Sequence, residues 1–331
     1  KSNLIKRFKT LSEWQKHFIS LQKKKYHKIL LVNLVKPNKL YSFIVLKELT
    51  KFKHPIIEFC NNDIPFSSNY KKKLNHYLNL LLKPSYIKLK INEKIFNFMS
   101  RFLSYKNYFL LTCGAEKKFF SKINVIESCY IDYNKSSDKK KKKIKLNNYV
   151  VFLENMSLFN KGDTELFPGI YPKNISPKLF YSKLRVFFDQ IERSFNTKIL
   201  IAAHPKSFHK KKPKYFGYRE VFFDQTDQLI KKSKFVLVEP SQAISLVIKY
   251  RKPALVVYDK LCLTNYKKTM IKYVYEYLKI KSYNLNDLFA FAEIKKLLKV
   301  DFKHYKIFEK KYLLASKNIK NNYETLKKRF L

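Results

Sequence analysis

The sequence predicts an α/β protein of two halves facing a cleft, with Lys-rich helices at the C-terminal end. Three observations predict it. Short, fully apolar runs, as in KILIAAHP, KFVLVEP and PALVVYD, have the length and continuity of strands buried on both faces of a parallel sheet. Between them lie stretches that are apolar at helical spacing. The segment Ser136–Asn148, SSDKKKKKIKLNN, combines a lysine run with almost no apolar content and reads as a solvated linker. The expected division is therefore residues 1–135, a linker over 136–148, a second α/β domain over 149–290, and helices over 291–331 that pack back on the first domain.

In chain order, KILLVNLV (Lys28–Val35) is a buried strand stopped by Lys36-Pro37, and SFIVLKELTKF after it is helical. HPIIEFC, the helix-like NYKKKLNHYLNLLLK, the alternating SYIKLKI and NYFLLTCG continue the alternation of strand and helix. Beyond the linker, NYVVFLEN is a strand. GDTELFPGIYPKNISP holds two of the four glycines and three prolines and is an irregular loop. KLFYSKLRVFFDQIERSF is a helix with Leu184, Phe187, Phe188 and Ile191 on one face and Ser176-Pro177 as its start. KILIAAHP, YREVFFDQ, KFVLVEP and PALVVYD are strands, with helices TDQLIKKS and SQAISLVIKYR among them, which is the doubly wound pattern. Lys-rich amphipathic helices follow from Asp287.

Composition narrows the function. At 331 residues with 46% hydrophobic side chains, the chain can bury a core without staples. No apolar run reaches the roughly 18 to 20 residues that span a bilayer, and the N-terminus lacks a secretory pattern. The expectation is a cytoplasmic protein. Four scattered cysteines support neither a disulfide framework nor a zinc site. The net charge of +45 invites a nucleic-acid reading, yet only seven of the 70 cations are arginine, the side chain suited to bidentate phosphate contacts. Scarce alanine and glycine beside abundant lysine, asparagine and isoleucine match the codon bias of an AT-rich genome. A field of this sign still attracts anions and gives peripheral binding to anionic membrane.

Candidate site residues are those that end strands, because ligands of a doubly wound sheet sit outside the carboxyl ends. His204-Pro205 ends one strand, and its imidazole can donate to a phosphate oxygen; the pair is equally an ordinary strand-ending turn. Glu239-Pro240-Ser241-Gln242 follows another strand at a helix start, where Ser241 suits an anion or a plain N-cap. Ser245 lies one turn on and faces ligand or solvent, and Thr226 starts a helix placed between the two features. The strands carrying His204 and Ser241 are expected to be neighbours, so that together these groups form a phosphate cradle without a Gly-rich loop.

The order IAAHPKSF, TDQLI, KFVLVEPSQAI and KPALVVY resembles the nucleotide-binding half of GT-B glycosyltransferases, which have two Rossmann-like domains facing a cleft. It is most similar to bacterial enzymes of lipopolysaccharide and capsule assembly that use CMP-activated sugars, the sialyltransferases and retaining β-Kdo transferases. The resemblance covers about residues 125 to 260. It implies that His204-Pro205 contacts the nucleotide and Ser241 its phosphate, with Gln242 where a second Ser or Thr would stand. It also implies that residues 1–135 are the acceptor side, that the donor is a nucleotide-sugar substrate, and that no metal or other cofactor takes part. Glu239 is out of place beside a phosphate, and a ribose or a cytosine amino group is its expected partner. Transfer also needs a carboxylate at the anomeric carbon. Asp132, Glu154 and Asp163 are the candidates, since they flank the linker or end the first strand beyond it; Glu58 and Asp63 form a reserve pair.

The function expected is transfer of a sugar, from a CMP-linked donor, to a cell-surface polysaccharide or lipopolysaccharide precursor, in the cytoplasm or at the inner membrane face. The competing reading is a non-catalytic Lys-rich protein that binds nucleic acid or anionic membrane. Another transferase or a sugar epimerase on the same scaffold is the third.

Overall fold

A computed structural model describes residues 10–23, 31–33, 47–48, 50, 55–60, 91, 94–95, 98–99, 107–113, 124–130, 133, 148–155, 176–205, 207, 213–263, 265–287, 291–314, 316, 319 and 321–330. Asp63, Asp132, Asp163 and positions 136–147 of the expected linker lie outside them. The chain forms two units, residues 1–61, 68–128 and 323–331 in the first, 62–67 and 129–322 in the second. Both are α/β with all-parallel sheets.

The first unit carries strands β1 (Leu31–Asn33), β2 (Ile56–Cys60), β3 (Tyr108–Cys113) and β4 (Asn124–Ser128), hydrogen-bonded in that order. Helix α1 (Leu11–Lys23) precedes them. Ile57, Leu111 and Ile126 form a buried cluster against Phe109, Leu326 and Phe330. The last two belong to the final helix, numbered α8 below, and the Phe330 ring meets Phe109 edge-on at 4.8 Å.

The second unit begins at Cys129, ahead of the lysine run, because the chain is already anchored there. Cys129 N–H donates to Asn322 Oδ1 and Asn322 Nδ2 to the Cys129 carbonyl, both at 2.8 Å. Tyr130 N–H donates to the Leu313 carbonyl, also at 2.8 Å. The strands of this unit are β5 (Tyr149–Leu153), β6 (Lys198–Ala202), β7 (Val221–Phe222), β8 (Val236–Val238), β9 (Ala254–Tyr258) and β10 (Ser282–Asn284). Its helices are α2 (Pro177–Phe195), α3 (Thr226–Lys232), α4 (Ile244–Lys249), α5 (Asn265–Met270), α6 (Phe291–Leu297) and α7 (Phe302–Phe308). Helix α8 (Asn322–Phe330) starts here and runs into the first unit.

The order across the sheet is β10-β9-β8-β5-β6-β7. From β5 the chain winds outward through β6 to β7, then returns to the other side of β5 and winds outward again through β9 to β10. This is the Rossmann order, with its reversal between β5 and β8. Helix α2 covers the centre of the sheet because its sequence leaves it no alternative. Ser176 Oγ accepts the Leu179 N–H, Pro177 opens the first turn, and Asn196 closes the helix in the left-handed region at φ 44°. Phe180, Tyr181, Leu184, Phe187, Phe188 and Ile191 then fall on one buried face, and Phe188 meets Phe152 of β5 edge-on at 5.0 Å. Each such side chain contributes about 1.5–3 kcal/mol of apolar burial.

Candidate functional site

The reversal places the carboxyl ends of β5 and β8 side by side, and the residues there are stitched together by hydrogen bonds. Glu154, which follows β5, is nearly buried at 6% exposure and reaches across to β6, accepting the His204 N–H at 3.2 Å and the Tyr181 hydroxyl at 3.5 Å. Its carboxylate therefore shapes the turn that presents His204. Asn155 reaches the other way. Its N–H donates to Glu239 Oε2 at 2.9 Å, and its side-chain amide donates to the Pro240 carbonyl. His204 is half-buried and Pro205 exposed, with Ser207 N–H closing the turn on the His204 carbonyl at 2.8 Å.

Two sequence expectations are corrected by this layout. The strands carrying His204 and Ser241 are not neighbours; β5 lies between them, and Glu154-Asn155 is the piece that joins the two sides. Thr226 is not between them either, since it starts α3 after the edge strand β7.

Beyond β8, Ser241 is held by Tyr275. Its N–H donates to the Tyr275 oxygen at 3.0 Å, and the Tyr275 hydroxyl donates to the Ser241 carbonyl at 3.1 Å. Ser241 Oγ accepts the Ala243 N–H at 3.2 Å, so the hydroxyl caps its own turn. The Gln242 amide oxygen accepts the Tyr130 hydroxyl at 2.7 Å. Ser245 does not face ligand or solvent: it is fully buried.

Glu239 is not an open acceptor for a ribose or a base. It is 5% exposed and forms an ion pair with Lys267, itself 3% exposed, while Asn155 occupies its other oxygen. Burial pushes the Glu239 carboxyl up from its ordinary range, and the Lys267 ammonium pulls against that shift. The pair lines a narrow cleft together with Phe180, Pro240, Cys262 and Tyr258-Asp259, where β9 ends. Burial by itself would raise the Asp259 carboxyl. The Asn286 amide, the Lys183 ammonium and the Leu261 N–H outweigh it and bring it below the usual value. Burial pushes the Cys262 thiol up to about 12, so no thiolate is available as a nucleophile at neutral pH. Among the described residues, no three His, Cys, Asp or Glu side chains gather as a metal site.

No protein-family model matches the chain, and no curated protein does. Among solved structures it is similar to the glycosyltransferase SnogD from Streptomyces nogalater, at 10% identity over 87% of this chain and 68% of that one, with a TM-score of 0.43. It is also similar to MurG of Acinetobacter baumannii, at 8% identity over 93% and 73%, TM-score 0.36. A third is the UDP-GlcNAc 2-epimerase of Methanocaldococcus jannaschii, at 13% identity over 96% and 77%, TM-score 0.37. At such values the likeness assigns no chemistry to this chain.

Tyr181, Tyr275, Tyr130 and Lys267 order the strand ends, and the sequence singled out none of them. The tyrosines are three of 24 in the chain and Lys267 is one of 70 cations, so no local pattern marked them. The role of Glu154 is directly testable. Glu154→Ala removes the acceptor for a backbone N–H and a buried hydroxyl, and a loss of about 1–3 kcal/mol is expected in urea unfolding. Glu154→Gln, which keeps an oxygen for His204 N–H, should lose less than half of that. Equal losses in the two variants would remove the His204 contact from the account.

Proposed function

We propose that this chain is a glycosyltransferase that takes a sugar from a nucleotide-activated donor, CMP-linked, and passes it to a cell-surface polysaccharide or lipopolysaccharide precursor. The observation that supports it best is the Rossmann-ordered sheet with polar groups gathered where the strand order reverses, the place where such sheets bind nucleotides. In this reading the His204 ring and the Ser241 hydroxyl proton stabilise the departing phosphate, and Thr226 and Gln242 complete its surroundings. Glu154 is the positioning residue for His204. Asp132 or Asp163 supplies the carboxylate at the anomeric carbon, as base if the enzyme inverts and as nucleophile if it retains. The donor is consumed as substrate, and no metal is assigned a part.

A thermal-shift series across nucleoside mono- and diphosphates tests the reading. A nucleotide at one hundred times its Kd stabilises its binder by about 2.7 kcal/mol, equivalent to a Tm rise of roughly 5–10 °C for a unit of this size. CMP should give the largest rise, and His204→Ala should reduce it while leaving the ligand-free Tm in place. Preference for a uridine nucleotide would overturn the CMP assignment alone. No rise with any nucleotide, together with steeply salt-dependent binding of an oligonucleotide, would replace the transferase by the Lys-rich binding protein.

A further inference from the structure

We infer that Tyr130 is a positioning residue for the nucleotide site: its hydroxyl sets the Gln242 carboxamide, and Asn322 holds Tyr130 in place to do so. The role rests on the reading of the Ser241-Gln242 turn as the phosphate side of that site. The Tyr130 hydroxyl donates to Gln242 Oε1 at 2.7 Å across 112 positions of chain. A carboxamide carries its acceptor and its two donors on separate arms, so a bond to the oxygen decides which way each arm points. With its oxygen given to Tyr130, Gln242 meets a phosphate with the NH2 arm, the one that can donate to it. The flipped amide would turn an oxygen on the anion and repel it.

A phenol can orient another side chain only where it is itself held, and Tyr130 is. It is buried, and its N–H donates to the Leu313 carbonyl at 2.8 Å. The residue before it, Cys129, forms an antiparallel bridge with Leu314. The Asn322 side chain meets both the N–H and the carbonyl of Cys129 at 2.8 Å, as a neighbouring peptide group would. Cys129 and Asn322 are both buried, so water does not compete for these bonds. Leu313 closes the turn Glu309–Leu313, and Glu309 at its start accepts from the Tyr133 hydroxyl and the Arg251 guanidinium, which anchors the turn in its place. On the other side of Gln242, Tyr275 holds the main chain of Ser241. Two phenols thus divide the work: Tyr275 sets the backbone of the Ser241-Gln242 turn, and Tyr130 sets its amide.

Calorimetric titration of the full chain with CMP, UDP, dTDP, GDP and ADP, well below the melting temperature, is the test. The parent should bind at least one of them. Tyr130→Phe, which removes only the hydroxyl, should weaken that nucleotide by about two- to tenfold, the range of one neutral hydrogen bond. Gln242→Ala should weaken it as much, and adding Tyr130→Phe to Gln242→Ala should cost less than about twofold more, because the hydroxyl then has nothing to orient. Asn322→Ala should follow the same pattern, with weaker binding on its own and little further effect in the Gln242→Ala background. A general loosening of the fold would instead weaken binding alike in both backgrounds, and that result would overturn the role. So would full affinity in Tyr130→Phe, with the nucleotide site left intact. Full affinity in Asn322→Ala would overturn the part given to Asn322. A parent that binds none of the five nucleotides would remove the site itself, and the role with it.

Discussion

Lys267→Met is expected to destabilise the second unit by about 3–5 kcal/mol, because it leaves the Glu239 carboxylate buried beside Glu154 with its counter-charge gone. For a unit of this size that is a fall in Tm of roughly 10 °C. The pH dependence gives the prediction its sign. Without Lys267, burial holds the Glu239 carboxyl above its unfolded value of 4.5. A carboxyl raised in the folded state supports folding fully below the unfolded pKa, and that support is lost as pH rises through the folded one. The variant should therefore lag the parent most at neutral and alkaline pH, and the gap should close as the solution is acidified toward about pH 5. Adding Glu239→Gln removes the stranded charge and keeps an oxygen for Asn155 N–H, so the double variant should recover most of the loss. Melting curves of parent, single and double variants across that range decide it. A double variant no better than the single one would show that the ammonium matters for its packing and not for its charge.

Phe188→Ala should cost about 3–5 kcal/mol. Phe188 is completely buried under the central strand, and its ring contacts Phe152 edge-on at 5.0 Å. It also supports a buried cation, since the Arg219 guanidinium lies 5.2 Å from the ring centroid while pairing with Asp189 and Glu192. Truncation leaves a cavity where α2 crosses β5 and withdraws the aromatic face from Arg219. Val186 on the same helix is 56% exposed, and Val186→Ala should stay within about 0.5 kcal/mol. Urea midpoints of the two variants, at equal m-values, check the contrast; similar losses would mean that α2 does not pack as described.

The elements most legible in the sequence were those whose pattern is local. The runs YVVFL, KILIA and ALVVY became β5, β6 and β9, and four of the residues on the buried face of α2, Leu184, Phe187, Phe188 and Ile191, were readable from their spacing, while Phe180 and Tyr181 in its first turn were not. Strands β4 and β10 escaped notice because NVIES and SYN are short and half polar, and only pairing with β3 and β9 makes strands of them. Which strands lie side by side depends on where each crossover lands. That is why His204 and Ser241, expected on adjacent strands, turned out to flank β5. The same holds for chemistry. Glu154 and Glu239 stood out as acids at strand ends, but their engagement depends on partners 27 and 28 residues away in the chain, Tyr181 and Lys267.

Helix α8 has a consequence for how the molecule is made. The strands it shelters emerge during synthesis well before Leu326 and Phe330, which lie far later in the chain. Until they arrive, Ile57, Leu111 and Ile126 lack part of their cover, while the second unit can already fold behind them. The sheet of the first unit thus emerges before the second unit and is completed after it, and of the two nascent sheets it has the more reason to need a chaperone.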